Sequence, residues 1–230
     1  MLVVCDQCAA EISDAAISCP KCGAPGPSSC LTPRQPPGPP TNYRPQSFIT
    51  LYLLWAALAT LGALFLLIIP LIAGLMAGDD AEHGYFALTT AFFLAGLALS
   101  VLAAIVALVL LYRAWAQIQD GFHRTTPGKA VGFLVIPLFN LYWVFIALVS
   151  LATGLNAFTS RHRIDAPRTI PGLAIAYCVL ILCISIPIFG IFVIPAVMIV
   201  QYILFLQLAN TSAAIAEGLD ARADRAPAIA

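Results

Sequence analysis

Four stretches of this chain, residues 48–76, 86–112, 130–160 and 169–216, contain no Asp, Glu, Lys, Arg or His. A helix on the surface of a soluble domain carries charge on the face that meets water. Stretches this long without charge have no such face, so their surroundings must be hydrocarbon. A helix needs about 20 apolar residues to cross a bilayer, and it satisfies its backbone hydrogen bonds internally, as lipid demands. The chain is 61% hydrophobic and 10% charged, whereas soluble domains carry roughly 25% charged residues. The expected fold class is an all-α membrane bundle.

The first two stretches supply one span each, with Pro70 ending or kinking the first. The last is too long for one helix, because at about 1.5 Å per residue it would run to about twice the bilayer core. Ile186-Pro187-Ile188-Phe189-Gly190 is its natural break, which predicts spans near 171–187 and 191–213. The third stretch contains Pro137 and Asn140, and flanking charge decides how it runs. The loop at 77–85 holds Asp79, Asp80 and Glu82 without Lys or Arg, so it faces outward. The loop at 113–129 holds Arg113, Arg124 and Lys129, and the loop at 161–168 holds Arg161, Arg163 and Arg168. Both basic loops face the cytosol, with Arg113, Arg124 and Lys129 near lipid headgroups. That requires residues 130–160 to enter and leave on one side. The reading is four transmembrane helices plus one re-entrant or interfacial helix broken at Pro137–Asn140. Five full spans are the alternative, favoured if the echo of Gly132-Phe-Leu-Val-Ile-Pro137 in Gly190-Ile-Phe-Val-Ile-Pro195 is a duplication.

Ahead of the bundle stand two cysteine pairs, Cys5-x2-Cys8 and Cys19-x2-Cys22. A two-residue gap lets two thiolates on one turn reach the same ion, and two such turns complete a tetrahedral zinc site. Four cysteines close the coordination sphere, so the zinc is structural and supplies the folding energy of a head too small for a core. A reducing cytosol suits thiolates, which places the N-terminus inside. Residues 1–23 form this head. Residues 24–47, with eight prolines, form a semi-extended linker. Residues 48–213 form the membrane domain, and 214–230 a flexible C-terminal tail. The head resembles the small β zinc ribbons at the start of many bacterial membrane proteins, through Ile12 and Cys19-Pro20-Lys21-Cys22-Gly23. Ala9 departs from that pattern, which usually has glycine after the first pair.

Tyr112-Arg113-Ala114-Trp115, Thr126-Pro127-Gly128-Lys129-Ala130-Val131-Gly132-Phe133 and Ile136-Pro137-Leu138-Phe139-Asn140-Leu141-Tyr142-Trp143 carry a second resemblance. They are similar to a family of bacterial multi-pass membrane domains of unknown function, with a Pro-x-x-Asn-Leu break. The resemblance covers roughly residues 48–213. It implies a fold and a bacterial inner-membrane location, and no activity.

Pro137 removes a backbone donor, and Asn140 can offer its amide to the loosened backbone. Broken helices at membrane depth mark ligand sites in transporters, whereas the plainer reading is a structural kink. Tyr142 and Trp143 fit an interfacial anchor. Gly96, Ser100 and Ala104, four apart, let helices approach closely and leave self-association open. Gln201, Gln207 and Asn210 can join helices by hydrogen bonds. No stretch holds an ionisable carboxylate or amine, as coupled pumps usually need. No nucleophile–base pair is visible, so no enzyme is expected. The head has only Lys21 against Asp6, Glu11 and Asp14, which argues against nucleic acid. The function expected is a non-enzymatic membrane scaffold or regulator whose cytosolic zinc ribbon docks a protein partner. The alternative is a transporter or channel-like protein using Pro137–Asn140.

Overall fold

The computed structural model describes residues 2–4, 11–13, 43–68, 71, 74–75, 82–120, 125–184 and 187–225. Its contacts divide the chain into two compact units, one of residues 1–39 with 120–122 and one of 40–119 with 123–230. In the first, strands β1 (Leu2–Val4) and β2 (Glu11–Ser13) pair antiparallel, Val3 opposite Ile12. The pair brackets the segment that carries Cys5 and Cys8. All four cysteines of the expected zinc site lie outside the described residues.

The second unit is helical. Helix α1 (Pro45–Ala63) continues as a π-helical stretch, Leu64–Ile68. Then come α2 (Glu82–Gln117), the short α3 (Pro127–Gly132), a 3-10 turn (Phe133–Val135), α4 (Phe139–Arg161), α5 (Pro171–Ile184) and α6 (Pro187–Arg225). Proline opens α1, α3, α5 and α6. At a first helical position its fixed φ is already helical and its missing N–H costs nothing. The linker therefore ends at Arg44, three residues before the expected boundary of 47.

Among the described residues four segments are long and apolar enough to cross a membrane: Pro45–Leu67, Ala87–Gln117, Phe139–Arg161 and Phe192–Asp224. Leu53, Leu94, Phe93, Phe192 and Ile199 are exposed on the outside of the bundle. This outer face is apolar, and the chain is an integral membrane protein. The four segments are not the four expected, since α4, read from the sequence as re-entrant, is among them and α5 is not. Helix α5 has only 14 residues, about 21 Å against a hydrocarbon core of about 30 Å, so the span expected near 171–187 is short. Helix α6 absorbs Pro195 without a break and runs to Arg225. The flexible tail expected from 214 is thus helical to that residue. Ile215 and Ala216 are fully buried, and Ala, Glu, Leu and Arg favour helix. The echoed Gly-to-Pro segments also differ, since Pro137 stands in a break and Pro195 inside a continuous helix.

The helices form three hairpins that open at one end of the bundle. There the Arg113 guanidinium lies 5.4 Å over the Tyr43 ring, joining the end of α2 to the approach to α1. Gln117 donates to the Ser212 carbonyl (3.0 Å), joining α2 to α6. Thr211 donates to the Pro167 carbonyl (2.8 Å), and Arg222 to that of His162. The start of α1, the end of α2, the 162–170 loop and the end of α6 are therefore neighbours.

The α3–α4 hairpin packs against α2. Gly154 packs on Ile118, just past the end of α2. Asn140, at the hairpin tip, lines a cavity whose α2 wall runs from Ser100 to Leu111. That wall lies between about 9 and about 26 Å back along α2 from Gln117, at about 1.5 Å per residue. Helix α4 is long enough to span, and it ends at the shared end.

The hairpins interlock through close packing. A Cβ on Gly96 would come within 2.8 Å of Leu66 Cγ and 3.0 Å of its backbone N, and one on Gly62 within 2.8 Å of Ser100 Oγ. The small residues of α2 thus seat α1 within the same chain. Trp55 of α1 stacks on Phe205 of α6 (4.6 Å between centroids, 19° between planes), and Thr60 bonds to Tyr202 (2.6 Å).

Candidate functional site

The expected break is present and falls at Ile136–Leu138. Leu138 has φ 64° and ψ −47°. Phe139 N–H donates to the Pro137 carbonyl two residues back (2.7 Å). Together these define a classic-type γ-turn, a rare and strained conformation, costing on the order of 1–3 kcal/mol for a non-glycine residue. Asn140 N–H bonds to the Ile136 carbonyl (2.9 Å) and Leu141 N–H to that of Leu138 (3.2 Å). Backbone groups therefore satisfy much of the break. The expected bond from the Asn140 amide to the loosened backbone is absent among the described residues. Asn140 Oδ1 is instead buried without a partner.

The tip is held by aromatic packing. Trp143 donates to the Ala130 carbonyl (3.0 Å), stacks on Phe139 (5.5 Å, 23°) and meets Phe133 edge-on (4.9 Å, 86°). Trp143, expected as an interfacial anchor, thus spends its indole N–H inside the protein, fastening α4 to α3.

A cavity of about 670 Å³ lies beside this tip, bounded by α1, α2, α4, α5 and α6. Its wall is apolar apart from Ser100, Asn140, Tyr177 and Gln201. The Ser100 hydroxyl is already spent on the Gly96 carbonyl (2.9 Å). Asn140 Oδ1 is left as a buried acceptor, and an unsatisfied acceptor costs about 1–3 kcal/mol. Two irregular segments face the cavity, the π-helical stretch through Leu66 and Leu67 and the 3-10 turn through Leu134 and Val135. π-helical turns occur disproportionately at functional sites. An apolar pocket of this size with a few convergent polar groups is the usual form of a small-molecule site.

Of the other residues expected to matter, Arg113 pairs with the Tyr43 ring and Lys129 is exposed on α3. Arg124 lies outside the described residues. Among the described residues no cluster of three His, Cys, Asp or Glu could hold a metal ion. Of the three amides expected to join helices, Gln207 does so, accepting from Ile170 N–H (3.1 Å), while Gln201 lines the cavity.

Sequence reasoning missed the polar clamp at the shared end. Asn156 donates to the Thr169 carbonyl (2.7 Å) and accepts from Thr169 N–H (2.9 Å). The Thr169 hydroxyl reaches the Ala152 carbonyl (2.7 Å). With Thr211, Gln207 and Arg222, these contacts strap the 162–170 loop to α4 and α6. An Asn in an apolar helix was the only signal for this clamp, and its partner is 13 residues away.

No protein-family model matches the chain, and comparisons with curated proteins and solved structures find no similar protein. The two resemblances drawn from the sequence rest on their quoted residues alone.

Proposed function

We propose that this protein is a non-enzymatic membrane scaffold or regulator that presents an N-terminal zinc-ribbon head on one membrane face. The single observation that carries the reading is the shared end of the three hairpins. Arg113, Arg161, Arg163, Arg168 and Arg222 all belong to elements that meet there. Excess Lys and Arg marks a cytosolic face, so that end is the cytosolic one. The chain enters α1 at the same end, beside Arg113, so on this reading the segment preceding α1 starts from the cytosolic side. On this reading α3–α4 is a re-entrant hairpin and both termini are cytosolic, in a bacterial inner membrane. The paired strands around the Cys5–Cys8 segment support a ribbon whose zinc is held by Cys5, Cys8, Cys19 and Cys22. The zinc serves structure and the head binds a protein. The test is a crosslinking pull-down from native membranes. A partner captured by the native chain and lost from Cys19→Ser/Cys22→Ser supports docking, and an unchanged partner set refutes it.

The buried, unpartnered Asn140 Oδ1 favours a second reading, a transporter or channel-like body that binds a solute at Pro137–Asn140. Flux in proteoliposomes that is lost in Asn140→Leu supports it. Flux unaffected by that substitution refutes it.

A further inference from the structure

A second cavity, of about 500 Å³, opens where α4 ends, lined by Thr159, Ser160, Arg163, Asp165 and Arg168 among others. Helix α4 ends in a Schellman motif, with Ile164 N–H donating to the Thr159 carbonyl (3.0 Å) and Arg163 N–H to that of Ser160 (3.3 Å). Arg163 takes the left-handed position, φ 49°, where glycine is usual. A non-glycine side chain there costs backbone strain. The loop beneath is rigid, strapped by Asn156, Gln207 and Thr211. No ion pair joins Arg163 or Arg168 to a carboxylate among the described residues. Two guanidiniums against the single Asp165 carboxylate leave the cavity at +1 (2 − 1).

From this we infer a binding site for the phosphate of an anionic lipid headgroup. Planar guanidinium forks suit phosphate oxygens, and the Ser160 hydroxyl adds a donor. The cavity lies at the basic end of an apolar-faced bundle, where headgroups meet the protein. This site differs from the general attraction of Lys129 and Arg113 to a charged surface in having a wall, a fixed loop and a strained residue. It does not depend on the zinc head or on the Asn140 cavity.

The test is native mass spectrometry of the purified full chain with phosphatidylglycerol or phosphatidylcholine, read beside Arg163→Gln, Arg168→Gln, Arg163→Gly and Lys129→Gln. Charge-assisted hydrogen bonds imply a loss of about ten- to hundredfold on removing either arginine. The expected result is retention of phosphatidylglycerol over phosphatidylcholine, weakened by that factor in both glutamine variants and unchanged in Lys129→Gln. Arg163→Gly relieves the left-handed strain, so it should fold at least as well as the native chain and still lose the lipid. Equal retention of the two lipids, or equal weakening by Lys129→Gln, overturns the proposal. Binding of inorganic phosphate alone with the same arginine dependence, displacing the lipid at millimolar concentration, overturns the lipid as its ligand.

Discussion

Replacing Asn156 by Leu should unfasten the 162–170 loop, and the cost can be worked from the bonds lost. The side chain pairs with both backbone groups of Thr169, at 2.7 and 2.9 Å, and Thr169 is 2% exposed. Leucine fills similar space but leaves that N–H and C=O buried without partners and shielded from water. Each orphaned group costs about 1–3 kcal/mol, so the pair costs about 2–6 kcal/mol before relaxation. Thr169→Val removes the hydroxyl bonds to the Ala152 carbonyl (2.7 Å) and to Asn156 Oδ1 (3.1 Å) but keeps both backbone bonds, and should cost about 1–2 kcal/mol. The two changes share a partner, so the double variant should lose less than the sum. Thermal unfolding in detergent reads the stability, and limited trypsin digestion at Arg163 and Arg168 reads release of the loop. Unchanged stability and unchanged cleavage in Asn156→Leu would refute the clamp.

Three further outcomes follow from the same contacts. Gly96→Ala should destabilise the α1–α2 pair by about 1–3 kcal/mol, because its Cβ meets Leu66 backbone at 3.0 Å, whereas Gly154→Ala meets only the flexible Ile118 tip and should cost less; thermal unfolding ranks the two. Leu138→Gly should leave stability unchanged or raise it by up to about 1 kcal/mol, because glycine takes positive φ without strain; a loss above that would show that the exposed leucine side chain holds the tip. The purified chain should carry one zinc ion, and Cys19→Ser/Cys22→Ser should carry none, as read by elemental analysis.

Much of the helical layout was legible in charge-free sequence, because lipid burial acts on every residue of a span. The break at Pro137 was legible for a local reason, a missing donor. The lengths of α5 and α6 were not. The strength of a proline break depends on packing around it, and Pro195 is carried inside a continuous helix while Pro187 starts one. Arg163 reads as one more basic loop residue until the helix end gives it a positive φ. Asn140 was singled out for a bond it does not make, since backbone groups close the turn and its oxygen is left buried without a partner. The Asn156–Thr169 clamp joins α4 to the loop before α5, and an Asn in an apolar helix signals a polar contact without naming its partner.

The central claim is that all three hairpins open on one membrane face. Gly128→Cys has open space around its Cβ and Asp165→Cys is exposed, so both can be labelled. A membrane-impermeant maleimide, applied to sealed vesicles of known orientation over the native-cysteine background, reads their side. The account predicts that both are labelled from the cytosolic side. Labelling from opposite sides would make residues 130–160 a full span and contradict it.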